Sequence, residues 1–139
     1  IVVVTEDCKF ALTETTLGIP PAQIAPFVAQ RIGLAKARRI MLTAARFTGK
    51  EAFEMGLADF IAKNASDLKN IESDIIKGVM NCAPGANAIT KEIVLATRHL
   101  ERSEMIDFAA KGFAERMLSD EGREGIASFI EKRKPKWSK

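Results

Sequence analysis

The period of the apolar positions changes early in this chain. Ile1-Val2-Val3-Val4 is an unbroken β-branched run, the pattern of a strand buried in a parallel sheet. No basic segment followed by a longer apolar stretch accompanies it, so it does not read as a signal peptide. Leu57-Ala58-Asp59-Phe60-Ile61 is the other convincing strand pattern. Two strands do not make a stable sheet by themselves. The expectation is therefore that the chain is the C-terminal part of something longer, or is held by a partner.

After about Pro26 the spacing predicts helices with short connections. Ala25–Ile32 and 34–43 carry helical patterns separated by Gly33. Thr48-Gly49-Lys50-Glu51 has the spacing of a capping box, in which the threonine hydroxyl accepts from the third amide and Glu51 reaches back. It predicts a short helix closed by Gly56. From Ser66, the residues Leu68, Ile71, Ile75, Val79 and Cys82 recur at three- and four-residue steps, which predicts an amphipathic helix. Cys82-Ala83-Pro84-Gly85 breaks it. Ile89, Ile93, Ala96 and Leu100 mark the next stripe. Ser103-Glu104 is expected to start a helix containing Met105, Phe108, Gly112 and Phe113. Ser119-Asp120-Glu121 starts another, its acids placed favourably against the helix dipole. That helix carries Ile126, Phe129 and Ile130 and leads into the basic tail 132–139. A soft boundary near 61–66 separates a mixed part, 1–62, from an all-helical part, 63–139. There is no internal repeat.

Composition narrows the class. A chain of 139 residues with 47% hydrophobic and 28% charged residues fits one folded domain with a real core, not global disorder. No apolar run approaches the roughly 20 residues of a membrane span. Cys8 and Cys82 are too few for a disulfide scaffold and fit a reducing compartment. A net charge of +3 gives little support to a nucleic-acid role, but the distribution is uneven. Arg31, Lys36, Arg38, Arg39, Arg46 and Lys50 fall in 15–50 with no acid among them, and Lys132, Arg133, Lys134, Lys136 and Lys139 form the tail. These patches could hold phosphates; a solvated helix face and a frayed tail give the same pattern. An RNA or DNA footprint would add exposed aromatics or a recognisable module, and neither is evident.

Candidate chemistry is sparse. His99 is the only histidine and has no cysteine or carboxylate cluster at metal spacing beside it. No zinc motif or phosphate loop occurs. Cys8, next to a strand and beside Lys9, reads as a packed thiol. Glu14, flanked by Thr13, Thr15 and Thr16 and followed by Gly18-Ile19-Pro20-Pro21, ends an extended segment. By its spacing alone it reads as a surface or capping carboxylate rather than a catalytic one.

Three blocks in order carry a resemblance. Phe10-Ala11-Leu12-Thr13-Glu14-Thr15-Thr16-Leu17-Gly18-Ile19-Pro20 resembles the segment around the second catalytic glutamate of the enoyl-CoA hydratase/isomerase (crotonase) family. Leu42-Thr43-Ala44-Ala45-Arg46-Phe47-Thr48-Gly49-Lys50-Glu51-Ala52, followed by Met55-Gly56-Leu57, is similar to that family's Leu-Thr-Gly…Ala…Ala…Gly-Leu-Val stretch. Glu121-Gly122-Arg123-Glu124-Gly125-Ile126-Ala127-Ser128-Phe129-Ile130-Glu131-Lys132-Arg133-Lys134-Pro135 resembles its terminal helix. The resemblance implies an α/β fold, the C-terminal part of a crotonase-like ββα superhelix, mostly helical with a few strands. The first half would supply most of the sheet, the oxyanion hole and the first of a hydratase's two glutamates. The present part would hold the last core strands and the helices that pack subunits into a trimer or a dimer of trimers.

The resemblance gives Glu14 the role of facing the α,β-double bond of an acyl-CoA thioester. One glutamate would activate water while Glu14 delivers a proton to the α-carbon, a positioned acid being worth on the order of 100- to 10,000-fold. An oxyanion hole would stabilise the developing enolate. Thr13 stands where many relatives have proline. Ile19-Pro20-Pro21-Ala22-Gln23-Ile24-Ala25-Pro26 replaces the glycine-rich opening of many members with a stiffer one, and resembles crotonases that hydrate branched glutaconyl-type CoA esters. Phe113, Phe129 and Lys132 fall where C-terminal residues approach the adenine end of CoA, Lys132 meeting phosphate; the two phenyl rings also fit core positions on their helices. The activities implied are enoyl-CoA hydration or, with one carboxylate, isomerisation. An RNA-binding homologue and a non-catalytic assembly fragment are the alternatives from other classes. No metal or redox cofactor is implied, CoA arriving with the substrate. No membrane partner is expected and a nucleic-acid partner is disfavoured. The expected compartment is the cytoplasm, with the mitochondrial matrix as the alternative.

Overall fold

The computed structural model of the chain describes residues 1–138; Lys139, last of the tail cations, lies outside the described residues. Two compact units form, Ile1–Asp74 and Ile75–Lys139.

In the first unit, β1 (Val3–Thr5) pairs in parallel with β4 (Phe60–Ala62), Val4 opposite Ile61. β2 (Lys9–Ala11) pairs antiparallel with β3 (Arg46–Thr48), Phe10 opposite Phe47. Their rings stack with centroids 5.3 Å apart. The strand expected over 57–61 begins later because the start of that segment serves the preceding helix. The Leu57 and Ala58 amides donate to the Ala52 carbonyl at 2.9 and 3.3 Å, and extended pairing starts only where Asp59 and Phe60 donate to Val2. The sequence reading missed β2 and β3 as strands. Each is three residues with one apolar centre, too short for its alternation to register.

The opening β-branched run is less buried than its composition predicts. Val4 is 7% exposed, but Ile1 and Val2 are 77% and 41% exposed. Among the described residues β1 pairs only with β4, and so small a sheet leaves the start of the run without a packed layer over its side chains.

Helices α1 (Ala25–Ile32) and α2 (Leu34–Leu42) pack beside the β2–β3 pair, and α3 (Gly49–Met55) follows β3. The core is formed by Leu12, Val28, Ile32, Ile40, Phe47 and Ala52 with their neighbours. The expected capping box opens α3: Thr48 Oγ1 accepts from the Glu51 amide at 3.3 Å and Glu51 accepts from the Thr48 amide at 2.8 Å. Gly56 closes the helix at φ 84°, a conformation that costs a Cβ-bearing residue.

α4 (Ala65–Met80) runs through the division between the units. Its start is capped by Asn64, whose Oδ1 accepts from the Ser66 and Asp67 amides.

The second unit continues with α5 (Pro84–Ala96), α6 (Arg102–Met117) and α7 (Asp120–Ile130). α6 starts one residue before the expected Ser103, because a Glu101–Glu104 capping box sets its first turn. The Ser119 hydroxyl caps α7 as expected, accepting from the Gly122 amide at 3.1 Å. α5 and α6 approach closely at Gly112, where an added Cβ would meet Ile89 at 2.8 Å. Few side chains of this unit are buried, Ala96 and Ser128 among them, while Val79, Phe108, Phe113, Leu118, Phe129 and Ile130 are exposed. Among the described residues no helix is long and apolar enough to cross a membrane.

Candidate functional site

Glu14 is held by a local network that leaves its carboxylate free. The Leu12 amide donates to the Ala45 carbonyl at 3.1 Å, which fixes the strand end before it. A 3₁₀ turn, Glu14–Leu17, follows. It is closed by the Thr16 amide and hydroxyl on the Thr13 carbonyl at 3.0 and 2.7 Å. Thr15 Oγ1 donates to the Met41 carbonyl at 3.1 Å and pins the turn to α2. Gly18, at φ 75°, ends the turn, and the Ile19 amide donates to the Glu14 carbonyl at 3.3 Å. The backbone of Glu14 is thus committed while its Oε2 is buried with no hydrogen-bond partner. Such an orphan atom is costly to keep and leaves an unused acceptor at this position.

Downstream, the Ala22 amide donates to the Pro20 carbonyl at 2.8 Å and the Ala25 amide to that of Pro21 at 2.9 Å. The segment therefore enters α1 as a sequence of tight turns, with Pro26 in the first helical turn. An apolar groove of about 440 Å³ lies beside it in the same unit, lined by Phe10, Leu12, Ile24, Phe27, Phe47 and neighbours, with Arg31 among them. Glu14 is not a lining residue of that groove.

The basic residues of 31–50 are partly spoken for. Arg31 pairs with Asp59 at 2.6 Å and donates to the Leu57 carbonyl at 3.1 Å. The guanidinium and the Val2 amide hold the Asp59 carboxyl below its ordinary value. Lys36 donates to the Met55 carbonyl at 2.8 Å, and Arg39 lies 3.3 Å from the Met55 sulfur. Lys36, Arg39 and Arg46 share a cleft of about 260 Å³ with Glu51 and Glu54, so that cleft is of mixed charge.

In the second unit Phe113 and Phe129 are 67% and 85% exposed, which removes the reading of either as core within this chain. Their apolar stripes face outward because α5, α6 and α7 bury small residues where they meet. Phe113 lines an apolar groove of about 420 Å³ with Ile89, Ile93, Ile126 and Trp137. Phe129 and Lys132 lie outside that groove. Lys132 is exposed and adopts φ 55°.

Two features here escaped the sequence reading. Arg116 Nε, beside the groove, is buried without a partner. The tail is strapped down rather than frayed: Arg133 binds Glu124 at 2.6 and 3.1 Å and Glu131 at 2.6 Å. The pairing spans nine positions around a chain reversal, which no helical period encodes. Among the described residues no three His, Cys, Asp or Glu side chains gather as a metal site.

A family model described as enoyl-CoA hydratase/isomerase matches residues 1–139. The chain belongs to that family. Its α/β, helix-rich architecture is the crotonase fold of Pseudomonas aeruginosa AtuE, which superposes with a TM-score of 0.95 at 47% identity over 99% of this chain and 53% of that one. An enoyl-CoA hydratase/isomerase from Marinobacter aquaeolei superposes with a TM-score of 0.94 at 39% identity, over 99% of this chain and 52% of that one. Among curated relatives, the peroxisomal Delta(3,5)-Delta(2,4)-dienoyl-CoA isomerase of Arabidopsis thaliana is 30% identical over 97% of this chain and 49% of its own length. The chain spans about half the length of the enoyl-CoA hydratase/isomerase relatives it matches.

Proposed function

We propose that the full-length protein hydrates the α,β-double bond of an acyl-CoA thioester, with Glu14 as the acid that protonates the α-carbon. The observation that carries this reading is the buried Glu14 Oε2 without a partner, on a turn that the Thr15 and Thr16 hydroxyls pin in place. A carboxyl so placed has an unused bond to give to a substrate. In the reaction a second glutamate, from the part of the relatives' length outside this chain, takes a proton from water. The water oxygen bonds to the β-carbon, the double-bond electrons move onto the α-carbon and thioester, and Glu14 returns a proton to the α-carbon. The product is the 3-hydroxyacyl thioester. No bound cofactor takes part, CoA being the carrier of the acyl group.

A branched, glutaconyl-type acyl group is proposed on the resemblance of Ile19-Pro20-Pro21-Ala22-Gln23-Ile24-Ala25-Pro26 to the corresponding segment of crotonases that hydrate such esters. Phe113, Phe129 and Lys132 are assigned to the nucleotide end of CoA. Their exposure supports this, since a ligand or a neighbouring subunit can reach them. The outward apolar faces of α6 and α7 support assembly as a trimer or dimer of trimers. The proposed compartment is the cytoplasm.

The test is Glu14→Gln in the full-length protein, assayed by loss of enoyl-thioester absorbance. Hydration is expected to fall on the order of 100- to 10,000-fold with thermal stability retained. Full activity in that variant refutes the assignment. Double-bond migration without hydration in the unmodified protein would replace hydratase by isomerase while keeping Glu14 as proton carrier.

A further inference from the structure

The end of α7 contains a backbone conformation that its sequence does not favour. The Lys132 amide donates to the Phe129 carbonyl at 3.2 Å and the Arg133 amide to that of Ser128 at 3.0 Å. These two bonds form a Schellman motif, whose left-handed residue is ordinarily glycine. Here it is Lys132 at φ 55°. A residue with a Cβ stays there only when its surroundings over-determine it.

Those surroundings are the strapped tail. Glu124, on the preceding turns of α7, accepts both Arg133 guanidinium nitrogens at 2.6 and 3.1 Å and the Lys136 amide at 3.0 Å. The Trp137 ring lies against Gly125, and its Nε1 donates to the Asn81 carbonyl at 3.3 Å. Ser138 adds a bond to the Asn81 side chain at 2.8 Å. The chain is therefore held by α7 before Lys132 and by the strapped tail after it, yet the Lys132 ammonium enters no ion pair among the described residues. A left-handed backbone thus carries an exposed cation that makes no ion pair of its own.

We propose that the Glu124–Arg133 pair is a latch that holds Lys132 in its left-handed conformation and so positions its ammonium for a phosphate of the CoA substrate. The proposal rests on the reading of Lys132 as a CoA contact. Glu124 and Arg133 are positioning residues; neither is assigned to touch the substrate.

The experiment is calorimetric titration of the full-length protein with CoA and, separately, with pantetheine, which lacks the nucleotide phosphates, together with kinetics on the matching enoyl thioesters. Glu124→Gln is expected to weaken CoA binding and raise KM for the CoA ester about tenfold, the scale of one lost charge-assisted contact. Pantetheine binding and kcat should stay within about twofold, because the reacting end is untouched. In a Lys132→Ala background the Glu124→Gln change should add nothing further, since the latch acts only through that lysine. Arg133→Lys, which keeps the charge but loses the two-nitrogen grip, should shift CoA binding in the same direction and serves if Glu124→Gln does not fold. Equal weakening of CoA and pantetheine, or full additivity with Lys132→Ala, overturns the latch while leaving the hydratase reading intact. Equal affinity of the unmodified protein for CoA and pantetheine overturns the phosphate contact and the latch with it. Absence of turnover, with CoA binding weakened by Glu124→Gln alone and not further in the Lys132→Ala background, refutes the hydratase reading alone and supports the latch.

Discussion

Replacing Gly49 with alanine sets helix propensity against packing, and the two call for opposite signs. Gly49 opens α3, where alanine is intrinsically better by up to about 1 kcal/mol. Its amide donates to the Cys8 carbonyl at 2.7 Å and the Lys50 amide to that of Glu6 at 3.4 Å. A Cβ added there would collide with the Thr5 carbonyl oxygen. That oxygen cannot retreat freely, because Thr5 ends β1 and is registered against Ala62 of β4. The start of α3 must move instead, which endangers both hydrogen bonds at about 0.5–1.5 kcal/mol each. Overpacking of a closed site adds about 1–3 kcal/mol. The net expectation is a loss of about 2–3 kcal/mol for the first unit. Gly78→Ala is the counterpart: it lies inside α4 with open space around it and is expected to gain about 0.5–1 kcal/mol. The single tryptophan of the chain, Trp137, lies in the second unit, so its fluorescence is a poor reporter here. Amide hydrogen exchange reads both helices. The α3 amides should exchange about 30- to 150-fold faster in Gly49→Ala, and the α4 amides somewhat slower in Gly78→Ala. Unchanged or slower exchange in α3 would refute the claim that this glycine is required by the Thr5 carbonyl.

Two further predictions follow from local geometry. Arg133 first, and the Lys136 amide after it, hold the Glu124 carboxyl at about 2, below its ordinary 4.5. A value lowered by folding stabilises fully above the ordinary value and is lost as pH falls through the folded one. Stability of the second unit, followed by Trp137 fluorescence in urea, should therefore decline as pH drops from 4.5 towards 2. Glu124→Gln should remove that part of the acid dependence; an unchanged acid limb would count against the pairing. Thr48→Ala, which breaks the α3 capping box, should cost about 1 kcal/mol, whereas Thr48→Ser should restore most of it. Exchange at the Glu51 amide, which donates to Thr48 Oγ1, measures the difference, and equal rates in the two variants would contradict the cap.

The sequence by itself determined what is decided within a turn or two of chain. The Thr48–Glu51 box, the Gly56 stop, the Ser119 cap and the Pro84 break were legible because their bonds join residues three or four apart. Glu14 was legible only through resemblance, since one carboxylate among threonines has no periodic signature. Tertiary structure alone decided the rest. It leaves Glu14 Oε2 buried and unpaired, which depends on how the turn is pinned to α2 through Met41. It exposes Ile1, Phe113 and Phe129, whose hydrophobicity predicts burial but cannot supply the surface that would cover them. It sets Lys132 at positive φ, against its own preference, because α7 ends immediately before it while Glu124 and Asn81 hold the tail that follows it. Backbone hydrogen bonds reward near neighbours and so leave a local trace in sequence. Burial, orphaned polar atoms and strain are set by groups far apart along the chain, and they acquire values only once the chain has brought those groups together.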